Sequence, residues 1–227
     1  MLAPERFAPW FLPFTSYGAP PIYTQTSLLA LALAQLGTVF LAGAASAVVA
    51  VALGILVTRP AGEEYLPLSR TLVNIGQTFP PVAVLAIAVP LVGFGELPTL
   101  IALFLYGLLP IFENTFSGLR ACPAAVLDAA DGVGMSAGQR LLAVELPLAM
   151  PLILEGIRVS LLINIGTATI GSTVAAKGLG EVIIAGLLSN NTAFILQGGL
   201  VTALLAMLLY DALTAVEHRV LRAAHLG

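Results

Sequence analysis

The sequence predicts an all-α integral membrane protein with five transmembrane helices. Of its 227 residues, 59% are hydrophobic and only 9% are charged, whereas ordinary soluble domains are about 25% charged. Such a composition does not supply enough polar side chains to cover a water-facing surface. In addition, five segments reach the roughly 20 mainly apolar residues that a helix needs to cross the hydrocarbon core of a bilayer. Composition and the five apolar segments together therefore predict the fold class.

The five predicted spans cover approximately residues 27–57, 70–92, 97–119, 146–170 and 192–216. The first contains no charged residue and ends before Arg59 and Pro60. Pro80 and Pro81 lie within the second span. Because two successive prolines remove two backbone donors from a helix, we expect a kink there. No obvious internal repeat relates the five spans, which gives no support to the inverted repeats typical of secondary transporters.

Residues 1–26 are predicted to form an external or interfacial segment, which precedes a transmembrane domain of residues 27–227. Prolines at positions 4, 9, 13, 20 and 21 interrupt any apolar core of a signal peptide in this segment. The segment also carries aromatic side chains suited to the belt at a membrane surface. These are Trp10, Phe11, Phe14, Tyr17 and Tyr23.

The distribution of basic residues predicts that the N-terminus lies outside the membrane and the C-terminus in the cytoplasm. With five spans, two basic residues, Arg6 and Lys177, fall on one side. Six arginines fall on the other side: Arg59, Arg70, Arg120, Arg140, Arg219 and Arg222. Because short loops rich in Lys and Arg stay in the cytoplasm, the second side is expected to be cytoplasmic. The polar sequence between the third and fourth spans lies on that side.

Composition and missing motifs argue against nucleic-acid binding and against catalysis. The formal net charge is −3, so the chain has no basic field to attract nucleic acid. The single cysteine, Cys122, excludes an internal disulfide framework, and neither histidine, His218 or His225, has an acidic neighbour at a spacing typical of a metal site. Residues 166–173 have the glycine spacing of a phosphate-binding loop but lack its lysine. No cofactor is predicted, and a transporter subunit is favoured over an intramembrane enzyme.

A polar, glycine-containing segment of residues 120–147, here called the polar island, separates the third and fourth spans. Within it, an acidic residue and two alanines are separated by three residues from a glycine. Nine further residues separate that glycine from an apolar residue, which is followed by one residue of any type, a leucine and a proline. The residues of this pattern are Asp128, Ala129, Ala130, Gly134, Val144, Leu146 and Pro147. Pro123 suits the start of a short helix, and Gly132 and Gly134 suit its end. Ser136 is expected to cap a second helix that begins near Ala137.

The spacing in the polar island resembles the E-A-A-x3-G-x9-I-x-L-P signature of the permeases of binding-protein-dependent ABC importers. Two positions depart from it, with Asp128 in place of Glu and Val144 in place of Ile. The resemblance implies that the seven residues of the pattern form a coupling loop that contacts a separate cytoplasmic ABC ATPase, which would hydrolyse the ATP. It also implies an external substrate-binding protein, a second permease copy or paralogue, and a place in the bacterial or archaeal cytoplasmic membrane.

Further segments are similar to the osmoprotectant permeases, which import glycine betaine, carnitine or choline, over roughly residues 70–190. These segments are residues 79–85, 97–106, 108–111, 114–115, 144–151, 156–158, 163–169 and 177–180. Three positions depart from that family, since a basic residue is expected at Glu113 and at Asp131 and a small or apolar residue at Glu155. The resemblance implies a compatible solute as cargo. The same machine importing an amino acid, methionine or an oxyanion stays open as an alternative, as does a carrier or channel that works alone.

Several polar residues within the predicted spans are candidates for the translocation path or for a polar network between helices. Glu155 and Arg158 are three residues apart, so they share a helix face and are expected to pair. Glu113, near the end of the third span, could extend that pair into a network. Asn114, Asn164, Thr167 and Thr169 are uncharged. The last three have two interpretations: hydrogen bonds between helices or the lining of a polar passage.

Overall fold

The computed structural model describes residues 4–16 and 18–225, and this part of the chain contains helices and connecting turns but no β-strand. Its α-helices are α1 (Ala8–Phe11), α2 (Leu28–Val57), α3 (Leu66–Thr78), α4 (Pro81–Val92), α5 (Glu96–Arg120), α6 (Ala124–Gly132), α7 (Ala137–Arg140), α8 (Leu146–Ala168), α9 (Gly180–Leu188) and α10 (Thr192–His225). Short 3-10 turns cover Pro4–Phe7, Leu12–Phe14, Glu63–Tyr65 and Thr169–Val174, and a π-helical turn covers Leu141–Glu145. Tyr17, predicted for the aromatic belt, lies outside the described residues.

In the part of the chain that the structure describes, four continuous helical segments are long and apolar enough to cross a membrane: Leu28–Val57, Glu96–Arg120, Ala137–Val174 and Thr192–Arg222. They contain the predicted first, third, fourth and fifth spans. The fourth begins earlier than expected, because α7 and the π-helical turn run without interruption into α8. These four segments confirm the membrane class of the fold.

The second predicted span is broken rather than kinked. Helix α3 ends at Thr78 and helix α4 begins at Pro81 after a sharp bend. The residue before a proline is forced into an extended conformation, and Pro80 accordingly has ψ of 143°. A new helix then starts from the Pro80 carbonyl, which accepts hydrogen bonds from the N–H groups of Ala83 and Val84. Within residues 4–16 and 18–225, the structure therefore offers five candidate spans if α3 and α4 together count as one, and four otherwise.

The chain divides into two compact units, and the helices α2, α5, α8 and α10 contribute residues to both. Unit 1 comprises Met1–Ala42, Phe79–Leu103 and Leu162–Leu209. Unit 2 comprises Gly43–Thr78, Phe104–Leu161 and Tyr210–Gly227. Each unit has its own buried core.

The core of unit 1 joins the start of α2 and the sequence before it to the helices α9 and α10. Its buried members are Tyr23, Leu28, Leu31, Ala32, Leu179, Val182 and Phe194. The Tyr23 ring packs edge-on against Phe194 with 5.4 Å between the ring centroids, and its hydroxyl donates to Glu181 at 2.7 Å. Burial, with a further contribution from Glu181, raises the pKa of Tyr23 to about 12. Tyr23 is therefore a core residue and not part of the predicted aromatic belt, whereas Trp10 is 78% exposed.

The core of unit 2 contains two clusters of buried side chains. The larger one unites α2, α3 and α5 through Ala50, Val57, Val73, Leu108, Ile111 and Phe112. The smaller one joins α5 to α8 through Leu119, Ala149 and Ile153. Gly76 allows α3 to approach α5 closely, since a Cβ at this position would lie 2.2 Å from the Leu105 carbonyl oxygen. Unit 2 also contains the polar island.

Candidate coupling segment and polar residues of the spans

The first half of the polar island is a short helix, and a glycine in the left-handed conformation follows two residues after its end. Helix α6 begins after Pro123, which is extended, and ends at Gly132. Gly134 has φ of +83°, and no atom lies within 4 Å of the position that a Cβ would occupy there. Backbone conformation rather than space therefore requires glycine at this position of the signature. The turn closes with a hydrogen bond from the Met135 N–H to the Ala130 carbonyl.

The second half of the polar island begins with the predicted cap. The Ser136 hydroxyl accepts from the Gln139 N–H at 3.4 Å, and the Gln139 side chain accepts from the Ser136 N–H at 2.9 Å. This reciprocal arrangement is a capping box and satisfies two backbone donors that a helix start leaves free. Helix α7 therefore starts at Ala137, as the sequence predicts, and continues into the π-helical turn.

The signature residues divide between an exposed surface and an apolar groove. Asp128, Ala129 and Gly134 are exposed, whereas Ala130 is buried. Val144 and Pro147 line an open groove with a volume of about 340 Å³. Its other lining residues are Val126, Ala143, Leu148, Pro151 and Leu221, so the groove contains apolar side chains from α6, from the start of α8 and from α10. Leu146, also of the signature, is half-buried and packs against Leu119, Ala149 and Ile153.

Four charged side chains, here called the charged network, connect the polar island to the turn after α2. Glu145 lies at its centre, with a side chain that is 4% exposed. Both terminal nitrogens of Arg59 donate to the Glu145 carboxylate. Arg140 donates from Nε to Glu145 at 3.0 Å and from Nη1 to Asp131 at 2.7 Å. Sequence reasoning missed this network, and the only signal was an acidic residue at position 131, where the resemblance leads one to expect a basic residue.

Cys122 lies between α5 and α6, beside the charged network. Its sulfur contacts the carbonyl oxygens of Gly118 at 3.7 Å and Glu145 at 3.8 Å. Burial raises the pKa of the Cys122 thiol above its usual value, and the Glu145 carboxylate raises it further. The raised pKa favours the protonated thiol of Cys122 over the nucleophilic thiolate. No three His, Cys, Asp or Glu side chains come together as metal ligands within the described ranges.

Arg158 makes the predicted pair with Glu155 and a closer pair with a residue of α10. Its Nη2 lies 3.7 Å from Glu155, whereas its Nη1 donates to Glu217 at 2.9 Å. The guanidinium also lies over the Tyr210 ring, 5.5 Å from its centroid. The local pair was predictable from the helical spacing. The pair with Glu217 joins residues that are far apart in the sequence, so no local pattern could reveal it.

Glu113 forms its ion pair with Arg70 of α3 rather than with Arg158, so it does not extend the Glu155–Arg158 pair as the sequence left possible. Arg70 donates to the two Glu113 oxygens at 3.0 and 3.1 Å. Such a planar two-bond pair matches the carboxylate better than a single contact does, and the Arg70 guanidinium also covers the Phe116 ring at 4.9 Å. The neighbouring Asn114 donates to the Pro110 carbonyl of its own helix at 2.8 Å.

The three uncharged candidates of α8 and the turn that follows it differ in what they contact. Asn164 is fully buried and donates to the Leu103 carbonyl of α5 at 3.0 Å, which is a hydrogen bond between helices. Thr167 donates to the Ile163 carbonyl at 3.0 Å, and Thr169 to the Gly166 carbonyl at 2.7 Å. Both threonines therefore bond to the turn that precedes them and stay partly exposed.

Comparison with known proteins identifies the family. Residues 50–222 match the family described as "binding-protein-dependent transport system inner membrane component". The osmoprotectant import permease protein OsmY of Salmonella typhimurium is 41% identical over 191 residues, which cover 84% of this chain and 80% of the relative. The glycine betaine/carnitine/choline transport system permease protein OpuCB of Bacillus subtilis is 36% identical over 178 residues, 76% of this chain and 82% of the relative.

Solved structures agree on the fold. A chain in an inward-facing structure of the MetNI methionine ABC transporter aligns with a TM-score of 0.72, covering 87% of this chain and 95% of that chain. The two sequences are 23% identical, so this match concerns the fold alone. The family match covers most of the chain, and the OsmY relative is 41% identical over 84% of it. The chain therefore belongs to the binding-protein-dependent transport permeases and is a membrane permease subunit of an ABC importer.

Proposed function

We propose that this permease imports a compatible solute such as glycine betaine, carnitine or choline. The names of the relatives from Salmonella typhimurium and Bacillus subtilis include osmoprotectants or these solutes, and the identities of 41% and 36% extend over most of each chain. Methionine, which the MetNI structure names, is supported by a 23% identical chain only. Quaternary amines are therefore the favoured cargo.

The polar island is the proposed contact for a separate cytoplasmic ATPase, with the N-terminus outside the membrane and the C-terminus inside. The supporting observation is the surface of α6, where Asp128 and Ala129 are exposed while Ala130 packs inward. Small side chains such as Ala129 allow a partner to approach the helix closely. The adjacent apolar groove offers a surface that water solvates poorly. Closure of the ATPase dimer on ATP would displace α6 and move the spans between inward-facing and outward-facing states.

The Arg70–Glu113 pair is the proposed polar element of the translocation path or of the contact with a second permease subunit. The two side chains are 43% and 36% exposed. A charged pair within spans is too costly to face lipid, so it faces water or protein. Asn164, in contrast, is closed inside unit 1 and acts in packing. Glu155, whose side chain is 49% exposed, belongs with the path candidates, whereas Arg158 is held by Glu217.

The partners follow from this scheme: a cytoplasmic ABC ATPase, an external substrate-binding protein, and a second copy or paralogue of this chain. The bacterial or archaeal cytoplasmic membrane is the proposed location. ATP hydrolysis by the separate ATPase would supply the energy, and the permease would supply the passage.

The coupling role is tested by Asp128→Lys and Gly134→Trp in proteoliposomes that contain the permease, its ATPase and its binding protein. We expect uptake of labelled glycine betaine to fall at least tenfold in both, because one reverses an exposed charge and the other places a bulky side chain at positive φ. The ATPase should also be lost during copurification of the Asp128→Lys variant. Gly138→Ala is the matched control, since nothing lies within 4 Å of its Cβ position. Normal uptake by both variants would refute the coupling role.

The cargo is tested in the same proteoliposomes by competition. Unlabelled glycine betaine, carnitine and choline should each be compared with unlabelled methionine at equal concentration. We expect at least one of the quaternary amines to suppress labelled uptake and methionine to leave it unchanged. Suppression by methionine alone would replace the compatible solute with an amino acid as cargo.

A further inference from the structure

We propose that the charged network transmits the displacement of α6 to the membrane helices, with Glu145 as its central positioning residue. This inference rests on the proposed function, since it presumes that α6 meets the ATPase. The network contains Arg59, Asp131, Arg140 and Glu145, two positive and two negative charges. It would act as a strut, so that movement of α6 moves the adjoining ends of α2 and α8.

The hydrogen bonds of the network run continuously from one element to the next. Asp131, on α6, accepts from Arg140 at the end of α7. Arg140 also donates to Glu145, which precedes α8. Glu145 in turn accepts two bonds from Arg59, two residues beyond the end of α2. Arg59 thus holds one carboxylate through two nitrogens, and Arg140 bridges two carboxylates. Such paired hydrogen bonds fix the relative orientation of the side chains as well as the distance between them.

The burial and the charge of the network indicate that it fixes the relative orientation of the elements it joins, in addition to any contribution to stability. The Glu145 side chain is 4% exposed, whereas that of Asp131 is 52% exposed. Removing a carboxylate from water is costly, and apolar residues of similar volume would hold two elements together at least as well. Directional bonds are what a charged cluster offers beyond apolar packing. The network therefore suits a connection that must keep one orientation while one end is displaced.

The π-helical turn Leu141–Glu145 places the central carboxylate. Wide turns of this kind occur frequently at functional sites. Here the turn leaves Glu145 buried against the two arginines while its neighbour Val144 lines the apolar groove. The same short segment therefore connects the groove that is proposed to face the ATPase with the charged network. A displacement of the groove by the ATPase would be passed from Val144 to the adjacent Glu145.

The test measures solute imported per ATP hydrolysed in proteoliposomes with the ATPase and the binding protein, together with ATPase copurification. Asp131→Asn removes one charge at the exposed end of the strut, so we expect about a threefold to fivefold fall in this ratio. Glu145→Gln removes the central charge and should lower the ratio by about tenfold or more. Both variants should retain the ATPase, because neither residue belongs to the exposed signature surface. Asp131→Glu restores the carboxylate and should restore the ratio.

The matched control is Glu63→Gln, which removes a carboxylate from an exposed pair with Arg120 in the same unit. Its ratio should stay at the wild-type value. A normal ratio in Asp131→Asn, or an equal fall in Asp131→Glu, would overturn the strut, even if Glu145→Gln fails to fold. If the Asp128→Lys variant still copurifies with the ATPase, the coupling role is refuted. This outcome is distinguishable from failure of the strut, because it is read from copurification and not from the solute imported per ATP hydrolysed.

Discussion

The two units differ in the polar side chains that connect their elements. Unit 1 uses neutral amide side chains that bond to the backbone, here called the amide set: Gln35, Asn164, Asn191 and Gln197. Unit 2 connects its elements through charged side chains that bond to one another, as in the charged network and in the pairs of Arg70 and Arg158, and of these only Glu145 is buried. Within the described part of the chain, every ion pair lies in unit 2.

The contrast follows from the cost of burial and from the backbone that each unit must satisfy. An amide is far cheaper to bury than a charge, and it both donates and accepts. Gln35 uses both abilities: it donates to the Ile165 carbonyl and accepts from the Leu179 N–H, each at 2.8 Å. Gln197 likewise donates to the Pro21 carbonyl and accepts from the Tyr23 N–H. The amide set therefore completes the backbone bonds of irregular segments, whereas charged pairs connect side chains and respond to salt and to substitution.

Close backbone contact in unit 1 predicts the largest effect on stability. A Cβ at Gly180 would lie 1.9 Å from the Thr169 carbonyl oxygen, and a backbone atom cannot yield as a flexible side chain does. We expect Gly180→Ala to lower the free energy of unfolding by about 3 kcal/mol. Gly37→Ala is the control, because nothing lies within 4 Å of its Cβ position. Thermal unfolding in detergent measures both, and equal melting temperatures would contradict the close packing of unit 1.

Removal of one amide side chain of unit 1 is expected to cause the second largest loss of stability. It also tests whether that stability is independent of salt, in contrast to the ion pairs of unit 2. Gln35→Leu leaves the Leu179 N–H and the Ile165 carbonyl without their side-chain partner, which should cost about 2–3 kcal/mol. Gln77→Leu, which removes one bond to the Tyr106 carbonyl from an exposed side chain, should cost less than about 1 kcal/mol. The Gln35 effect should be the same at low and high salt, because the groups are neutral. A strong salt dependence would show that charged groups stabilise this region as well.

Among the three test variants, Tyr23→Phe is expected to cause the smallest loss of stability, and only this loss is expected to depend on pH. Tyr23→Phe removes the bond to Glu181 and should lower stability by about 1 kcal/mol near neutral pH. Since the folded pKa is raised to about 12 from an ordinary value of 10, folding favours the protonated phenol. This stabilisation is fully present below pH 10 and is lost as the pH rises towards 12. Melting temperatures of the two proteins from pH 8 to 11.5 should converge at the alkaline end, and a constant difference would contradict the raised pKa.

The polar island was predictable from the sequence because its determinants are local. Pro123, Gly134 and Ser136 each act on their own backbone or on residues three or four positions away, and the structure confirms the helix, its end and the next cap. The partners of charged residues were not predictable in the same way. Arg70 and Glu113, and likewise Arg158 and Glu217, meet only because distant helices pack together. Tyr23 was misplaced at a membrane surface for the same reason, since Glu181 and Phe194 are remote in sequence.

The break between α3 and α4 has a consequence for how the chain enters the bilayer during synthesis. Pro80 and Pro81 have no N–H groups to offer, and the last four carbonyls of α3 have no partner within that helix. Lipid cannot supply donors to such groups. Helix α2, which has no charged residue and no break, can leave the insertion machinery as an independent span. The α3–α4 pair can settle only beside helices that are already in place, so the order of insertion need not follow the order of the sequence.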